Sequence, residues 1–284
     1  MNKFSWYVPN VGGVFILLAL MLAGALVGNI VSLIVTVVMK GGGMDVMTVI
    51  SYPVMFLPAL IFAWSKSRNG RMWSQGHTLD ANNFKPLGGG LAALLVTAGT
   101  VAMGFVCDAV SSFMPDMPAW LQDALDAMTN GNVWLNFLSV SIMAPLFEEW
   151  LCRGMILRGL LVKGVKPVWA IVVSAFIFAF IHLNPWQAIP AFMLGLLFGY
   201  VYYRTGSLKL TMLMHFTNNT LALVVSQTGV FGDAQSWTEV LGEKYWIFFA
   251  ISLIVTVLVW LAFRRVVPKH PYGNFDTLPA LSEK

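Results

Sequence analysis

Charge is what this sequence has least of. Asp, Glu, Lys and Arg make up 11% of its 284 residues, where a soluble domain carries about 25%. Hydrophobic residues account for 58%, and the mean hydropathy is +0.74. That balance excludes an ordinary water-soluble domain and implies a polytopic membrane protein. Cysteine is almost as scarce. Cys107 and Cys152 fall in or near apolar runs, and no CxxC, CxxCH or zinc-finger spacing occurs, so they read as small buried hydrophobes rather than a disulfide framework. Clusters of Lys and Arg are missing too, the net charge being only +4, and no nucleic-acid partner is expected. No repeat, low-complexity segment or long linker interrupts the chain. Residues 1–284 are therefore expected to form a single integral membrane domain. The first apolar run is too long for a cleaved secretory signal and reads as a retained span.

What the sequence has in quantity is apolar segments. A spanning helix needs about 20 mostly apolar residues. Eight segments qualify, at about 13–39, 47–65, 88–110, 134–158, 168–186, 188–204, 207–227 and 245–267. The expected fold class is thus all-α, a polytopic membrane protein with about eight transmembrane helices. Short links rich in turn formers, such as Gly41–Gly43, join them. Lys66, Lys85, Arg158, Lys163, Lys166, Arg204, Lys209, Arg264 and Arg265 all fall on one side of this arrangement, whereas the other side receives only Lys40 and Lys244. By the positive-inside rule both termini are cytoplasmic. The segment 117–128 reads as a short amphipathic helix at the interface, with Trp120, Leu121 and Leu125 on one face. Asp108, closing the third span, reads as an interface residue.

Against this background one stretch stands apart, Ala144-Pro-Leu-Phe-Glu-Glu-Trp-Leu-Cys-Arg-Gly154. It sets two carboxylates and an arginine inside a membrane helix, where ionised groups are costly and usually functional. Glu149 and Arg153 are four residues apart, on one helix face, and form a natural ion pair. Glu148 is turned roughly 100° from Glu149 and is free to face something else. Two of the four histidines also lie in spans: His182, four residues after Phe178, and His215, four residues before Asn219. His77 and His270 sit in polar segments and receive no role. Taken singly, each intramembrane group has a bland reading: a structural ion pair, an interhelical hydrogen bond, an asparagine on a neighbouring backbone, a core phenylalanine. Together they concentrate the ionisable groups of the spans on the fourth, fifth and seventh helices.

A buried carboxylate beside an imidazole can activate water as a general base. A second imidazole with an amide can donate to the oxyanion of a tetrahedral intermediate. Glu148 with His182 is the first such pair and His215 with Asn219 the second, with Glu149 and Arg153 in support. A metal is the alternative. Glu148, His182 and His215 match a common catalytic zinc ligand set, although the helical His-Glu-x-x-His spacing is absent. The preferred reading has no cofactor.

These residues resemble a known family. Glu148-Glu149-x-x-x-Arg153, Phe178-x-x-x-His182 and His215-x-x-x-Asn219 look like the three motifs of the CPBP family, whose members include CAAX prenyl endopeptidases of the Rce1 type and the bacteriocin-processing or self-immunity (Abi) membrane proteins. The resemblance covers about residues 133–227. It implies an intramembrane endopeptidase, metalloprotease-like or glutamate-dependent, in which Glu148 and His182 activate water and His215 and Asn219 stabilise the oxyanion. It implies a protein or peptide substrate reached in membrane lipid, and a bacterial cell membrane as the location. A prenylated C-terminus, the leader of a small secreted peptide and another membrane protein all fit as substrates. A non-catalytic immunity factor, partner-binding protein or small transporter is the competing class, and it requires Glu148 to pair with a basic residue or line an open path. On straight helices Glu148 and His182 would differ in depth by about 10 Å. A fourth helix that runs past Arg158 and tilts would remove that gap.

Overall fold

The computed structural model of the chain describes residues 6–38, 44–69, 78–129, 131–230, 234 and 236–268. The Gly41–Gly43 link, Lys40, His77 and His270 lie outside the described residues. Among the described residues all regular structure is helical. In chain order the helices are α1 (Val11–Val38), α2 (Met44–Asn69), α3 (Gly89–Ser111), α4 (Ala119–Thr129), α5 (133–162), α6 (Pro167–Phe180), α7 (Pro185–Thr205), α8 (Leu208–Thr228), α9 (Trp237–Leu241) and α10 (Tyr245–Arg264). Each of the eight apolar segments is helical over most of its described length. Four stretches are long and apolar enough to cross a membrane by length and composition: α1, Val46–Ser67 of α2, α3, and Trp237–Arg264, which runs from α9 through α10.

The long helix α5 sits between two groups. On one side α1 packs along α2, and α2 packs on the first half of α5. On the other, α6 lies against the second half of α5 and against α7, while α8 crosses its first half and middle. Helices α3 and α10 close the bundle outside α7 and α8. Leu17, Phe56, Leu151, Ile156, Leu161 and Tyr202 knit α1, α2, α5 and α7 into one apolar core, and Val96, Leu194, Phe198, Met214 and Val259 form a second among α3, α7, α8 and α10. The tight α1–α2 contact has a sequence cause. Gly24 and Gly28 form a small-xxx-small pair, which lets helix backbones approach in a membrane. A Cβ at Gly24 would stand 2.2 Å from the Met55 carbonyl oxygen, and one at Gly28 3.2 Å from that of Ser51.

Helix α5 is not uniformly α. Phe137–Met143 and Trp150–Leu157 are π-helical, flanking the α-helical Ala144–Glu149. Pro145 has no N–H to give to the preceding turn, and the Ala144 N–H reaches back five residues to the Ser139 carbonyl. The Val140 carbonyl thereby loses its helical donors and accepts instead from Asn219 Nδ2 of α8, at 2.9 Å. In the second π segment Ser174 Oγ of α6 donates to the Cys152 carbonyl at 2.9 Å, and Arg158 Nε donates to the Gly154 carbonyl at 2.7 Å. Such segments are rare and cluster at functional sites.

Several expectations shift. Helix α5 runs to Val162 rather than ending near 158, and α6 stops at Phe180, well short of 186. Glu148 therefore lies near the middle of α5, and His182 sits in the turn beyond α6. Arg158, expected in a loop, is fully buried and donates through Nη2 to the Tyr7 carbonyl, fastening the N-terminal segment to α5. In α4 Leu121 is buried but Trp120 is 71% exposed, so the tryptophan faces away from the protein. Asp108 caps α9, accepting from the backbone N–H of Trp237 and Thr238 at 3.0 and 3.1 Å. Cys107 and Cys152 are free and buried.

Candidate active site

Glu148 and Glu149 are adjacent, buried and differently employed. Glu149 Oε1 accepts from Arg153 Nη1 at 2.7 Å, with both side chains fully buried. Holding an arginine there requires compensation for its lost hydration. The same guanidinium donates to the Gly195 carbonyl at 3.2 Å and lies 4.4 Å over the Phe178 ring and 5.3 Å over Phe198. A desolvated cation over an aromatic face contributes about 2 kcal/mol. Arg153 thus ties α5 to α6 and α7 through one planar group.

Glu149 Oε1 also meets His215 Nδ1 at 3.1 Å. Paired with Arg153, Glu149 is a carboxylate and can only accept, so His215 carries its hydrogen on Nδ1. That turns Nε2 towards Glu148, whose Oε2 is 4.0 Å away. The other Glu148 oxygen, Oε1, accepts from the hydroxyl of Tyr52 on α2. Glu148 Oε2 is buried and has no hydrogen-bond partner among the described residues.

His182 stands apart from this cluster. No hydrogen bond or ion pair joins it to Glu148 among the described residues. Its Nδ1 lies 2.8 Å from the Phe178 carbonyl oxygen. A carbonyl only accepts, so Nδ1 is the donor and Nε2 keeps the lone pair. The Phe178 ring links the two imidazoles: His182 and His215 meet it edge to face, at centroid distances of 5.3 and 5.2 Å. Phe178, which alone would read as core packing, therefore touches Arg153 and both histidines. The His182 turn is pinned from the next helix. Asn184 Nδ2 donates to the His182 carbonyl at 3.0 Å, while Asn184 Oδ1 caps α7 at the Gln187 N–H.

Asn219 has one amide hydrogen on the Val140 carbonyl, and its Oδ1 accepts from Asn218 Nδ2 at 3.1 Å. The second amide hydrogen of Nδ2 has no partner among the described residues. The structure thus gathers Glu148, Glu149, Arg153 and His215, sets His182 beyond Phe178, and places Asn219 at the first π segment. The zinc alternative requires Glu148, His182 and His215 to converge. Among the described residues no three His, Cys, Asp or Glu side chains stand together as a metal site, so the ligand set as arranged does not fit the ion.

Tyr52 is the contact that sequence reading missed. It lies far from the three motifs, in an apolar helix where a hydroxyl has no lipid partner, directly before Pro53. That isolated hydroxyl, opposite the small-residue pair of α1, was the available signal.

No curated protein and no solved structure matches the chain. Residues 130–221, which hold all three motifs and every member of the polar cluster except Tyr52, match the family model described as Type II CAAX prenyl endopeptidase Rce1-like.

Proposed function

We propose that the protein is an intramembrane endopeptidase that hydrolyses a peptide bond in a membrane-associated substrate, a prenylated CAAX-type protein or a peptide precursor. The observation that carries this reading is the state of Glu148. Its carboxyl is buried in a helical membrane protein, one oxygen is held by Tyr52, and the other has no hydrogen-bond partner among the described residues and lies 4.0 Å from an imidazole nitrogen. Glu149 Oε2 is likewise buried without a hydrogen-bond partner among the described residues, but Glu149 is paired with Arg153, whereas Glu148 has no ion pair with a lysine or arginine among the described residues. The arginine that might have neutralised it is engaged by Glu149 instead, which disfavours a non-catalytic role resting on a closed Glu148–base pair.

In the proposed reaction Glu148 Oε2 takes the proton of a water that attacks the scissile carbonyl, and later returns it to the leaving amine. His182 presents the lone pair of Nε2 to the same water. His215 and Asn219 stabilise the oxyanion, Asn219 through its remaining amide hydrogen and His215 through Nε2, a role that requires both ring nitrogens to be protonated. Glu149 and Arg153 fix the His215 ring. No step is routed through a metal. The chain acts as one membrane domain of eight spans with cytoplasmic termini in a bacterial cell membrane, and residues 133–227 form its catalytic core.

The test is cleavage of a labelled peptide panel, prenylated and unprenylated, by purified protein and its Glu148→Ala variant, with and without a zinc chelator. Removing a general base costs about 10²–10⁴ in rate, so cleavage falls by that factor in the variant. The parent is expected to be unaffected by the chelator. Equal cleavage by variant and parent would remove Glu148 from the mechanism. Loss on chelation with recovery on added zinc would replace the water-activating glutamate by a metal-bound water.

A further inference from the structure

The segment matched by the family model begins after α1 and α2, yet α2 supplies the one side chain among the described residues that donates to the proposed base. We propose that Tyr52 is a positioning residue for Glu148, set in place by the α1–α2 pair, and that it determines which carboxyl oxygen is left to act. The inference rests on the endopeptidase reading of Glu148 and deepens it.

The geometry runs in three steps. Gly24 and Gly28 bring α1 against the α2 backbone at Ser51 and Met55, the turns on either side of Tyr52. The aromatic rings then fix the direction of the side chain. Tyr52 stacks on Phe56 at 5.9 Å between centroids, and Phe56 stacks on Phe147, the residue before Glu148, at 5.3 Å and 12° between planes. The ladder locks the phenol to the same turn of α5 that carries the carboxylate. Finally the hydroxyl donates to Glu148 Oε1. A carboxylate can rotate about its last bond, a broad and roughly two-fold torsion. With Oε1 held by α2, Oε2 is left on the side of His215.

The groups that meet Glu148 are Tyr52 from α2 and His215 from α8, while Glu149, Cys152 and Arg153 are its neighbours along the same helix. Only Tyr52 touches Glu148 Oε1 among the described residues.

Tyr52→Phe is the decisive variant, since it keeps the ring ladder and removes only the hydroxyl. A lipophilic carbodiimide reacts with the protonated form of buried carboxyls, so its rate of adding to Glu148 in the full-length protein, read by peptide mass spectrometry, reports that form without any substrate. Glu148→Gln identifies the labelled site. We expect labelling near neutral pH to rise about tenfold in Tyr52→Phe, the equivalent of one lost hydrogen bond to a charged group, with a changed pH profile. With a cleaved peptide from the panel, kcat should fall by a similar factor while KM is unchanged. Labelling rate, midpoint and kcat all equal to those of the parent would overturn the proposal. So would a fall in melting temperature alone, which marks a packing role. A labelling change in a protein that cleaves no peptide upholds the Tyr52–Glu148 contact and fails the endopeptidase reading, so the two are separable.

Discussion

The helices at the edge of this molecule and the helix at its centre solve opposite problems. In α1, α2, α3 and the α9–α10 stretch, only 17–33% of the most apolar window is buried inside the protein. Their outward surfaces are Leu, Ile, Val and Phe, such as Leu26 at 66% and Ile254 at 60% exposure. In α5 every residue from Glu148 to Leu161 is buried, and that run contains two glutamates and two arginines. Apolarity therefore tracks contact with lipid rather than depth in the protein. A helix wrapped by other helices can carry charge, because side chains and carbonyls replace water around it. A helix facing lipid cannot. The inner helices accordingly fall outside the length-and-apolarity criterion that the edge helices meet.

The comparison breaks first at Arg153. Replacing it with Leu leaves the Glu149 carboxylate buried without its counter-charge, and breaking a buried pair from one side costs about 3–5 kcal/mol. The expected outcome is a protein that unfolds in mild detergent at temperatures the parent survives, measured by thermal denaturation. An unchanged melting temperature would mean that the α5 interior is hydrated rather than packed.

A smaller effect is expected at the first π segment. Asn219→Leu removes the donor that satisfies the Val140 carbonyl, and an unsatisfied buried acceptor costs about 1–3 kcal/mol. Amide exchange around 137–146 should quicken in this variant while exchange in α1 and α10 stays as in the parent. Uniform quickening across all helices would show that the π segment is no local unit.

The smallest effect sharpens the comparison from the other side. Leu26→Val trims a side chain that faces away from the bundle, and exposed substitutions of this kind change stability by less than about 0.5 kcal/mol. A loss larger than that, measured by the same denaturation, would place Leu26 in an interface between copies of the chain.

Much of this was legible before any coordinates. Long apolar segments read directly as helices, and the i, i+4 rule paired Glu149 with Arg153 correctly. The rotation of Glu148 away from its neighbour followed from helical pitch alone. What escaped depended on contacts between segments distant in sequence. Tyr52 meets Glu148 across 96 positions, and nothing in either local pattern requires the other. The contact of Phe178 with Arg153 and both histidines escaped because it depends on where a core ring points. Arg158 misled for a simpler reason. Charge near the end of an apolar run normally means a loop, but here the N-terminal segment folds over and covers it. The length of α5 was misjudged because its π segments hold extra residues that a uniform helical period does not allow for.

Those extra residues bear on how the molecule could vary. A continuous α-helix transmits rotation, so shifting one end turns every side chain downstream by roughly 100° per residue gained or lost. A seven-residue π segment ahead of Glu148 acts as a slip joint. The Asn219 hydrogen bond clamps the helix on one side of Pro145, while Tyr52, Arg153 and His215 clamp it on the other. A change of register at the end of α5 nearer residue 133 can then be absorbed in this segment while the carboxylates keep their aim.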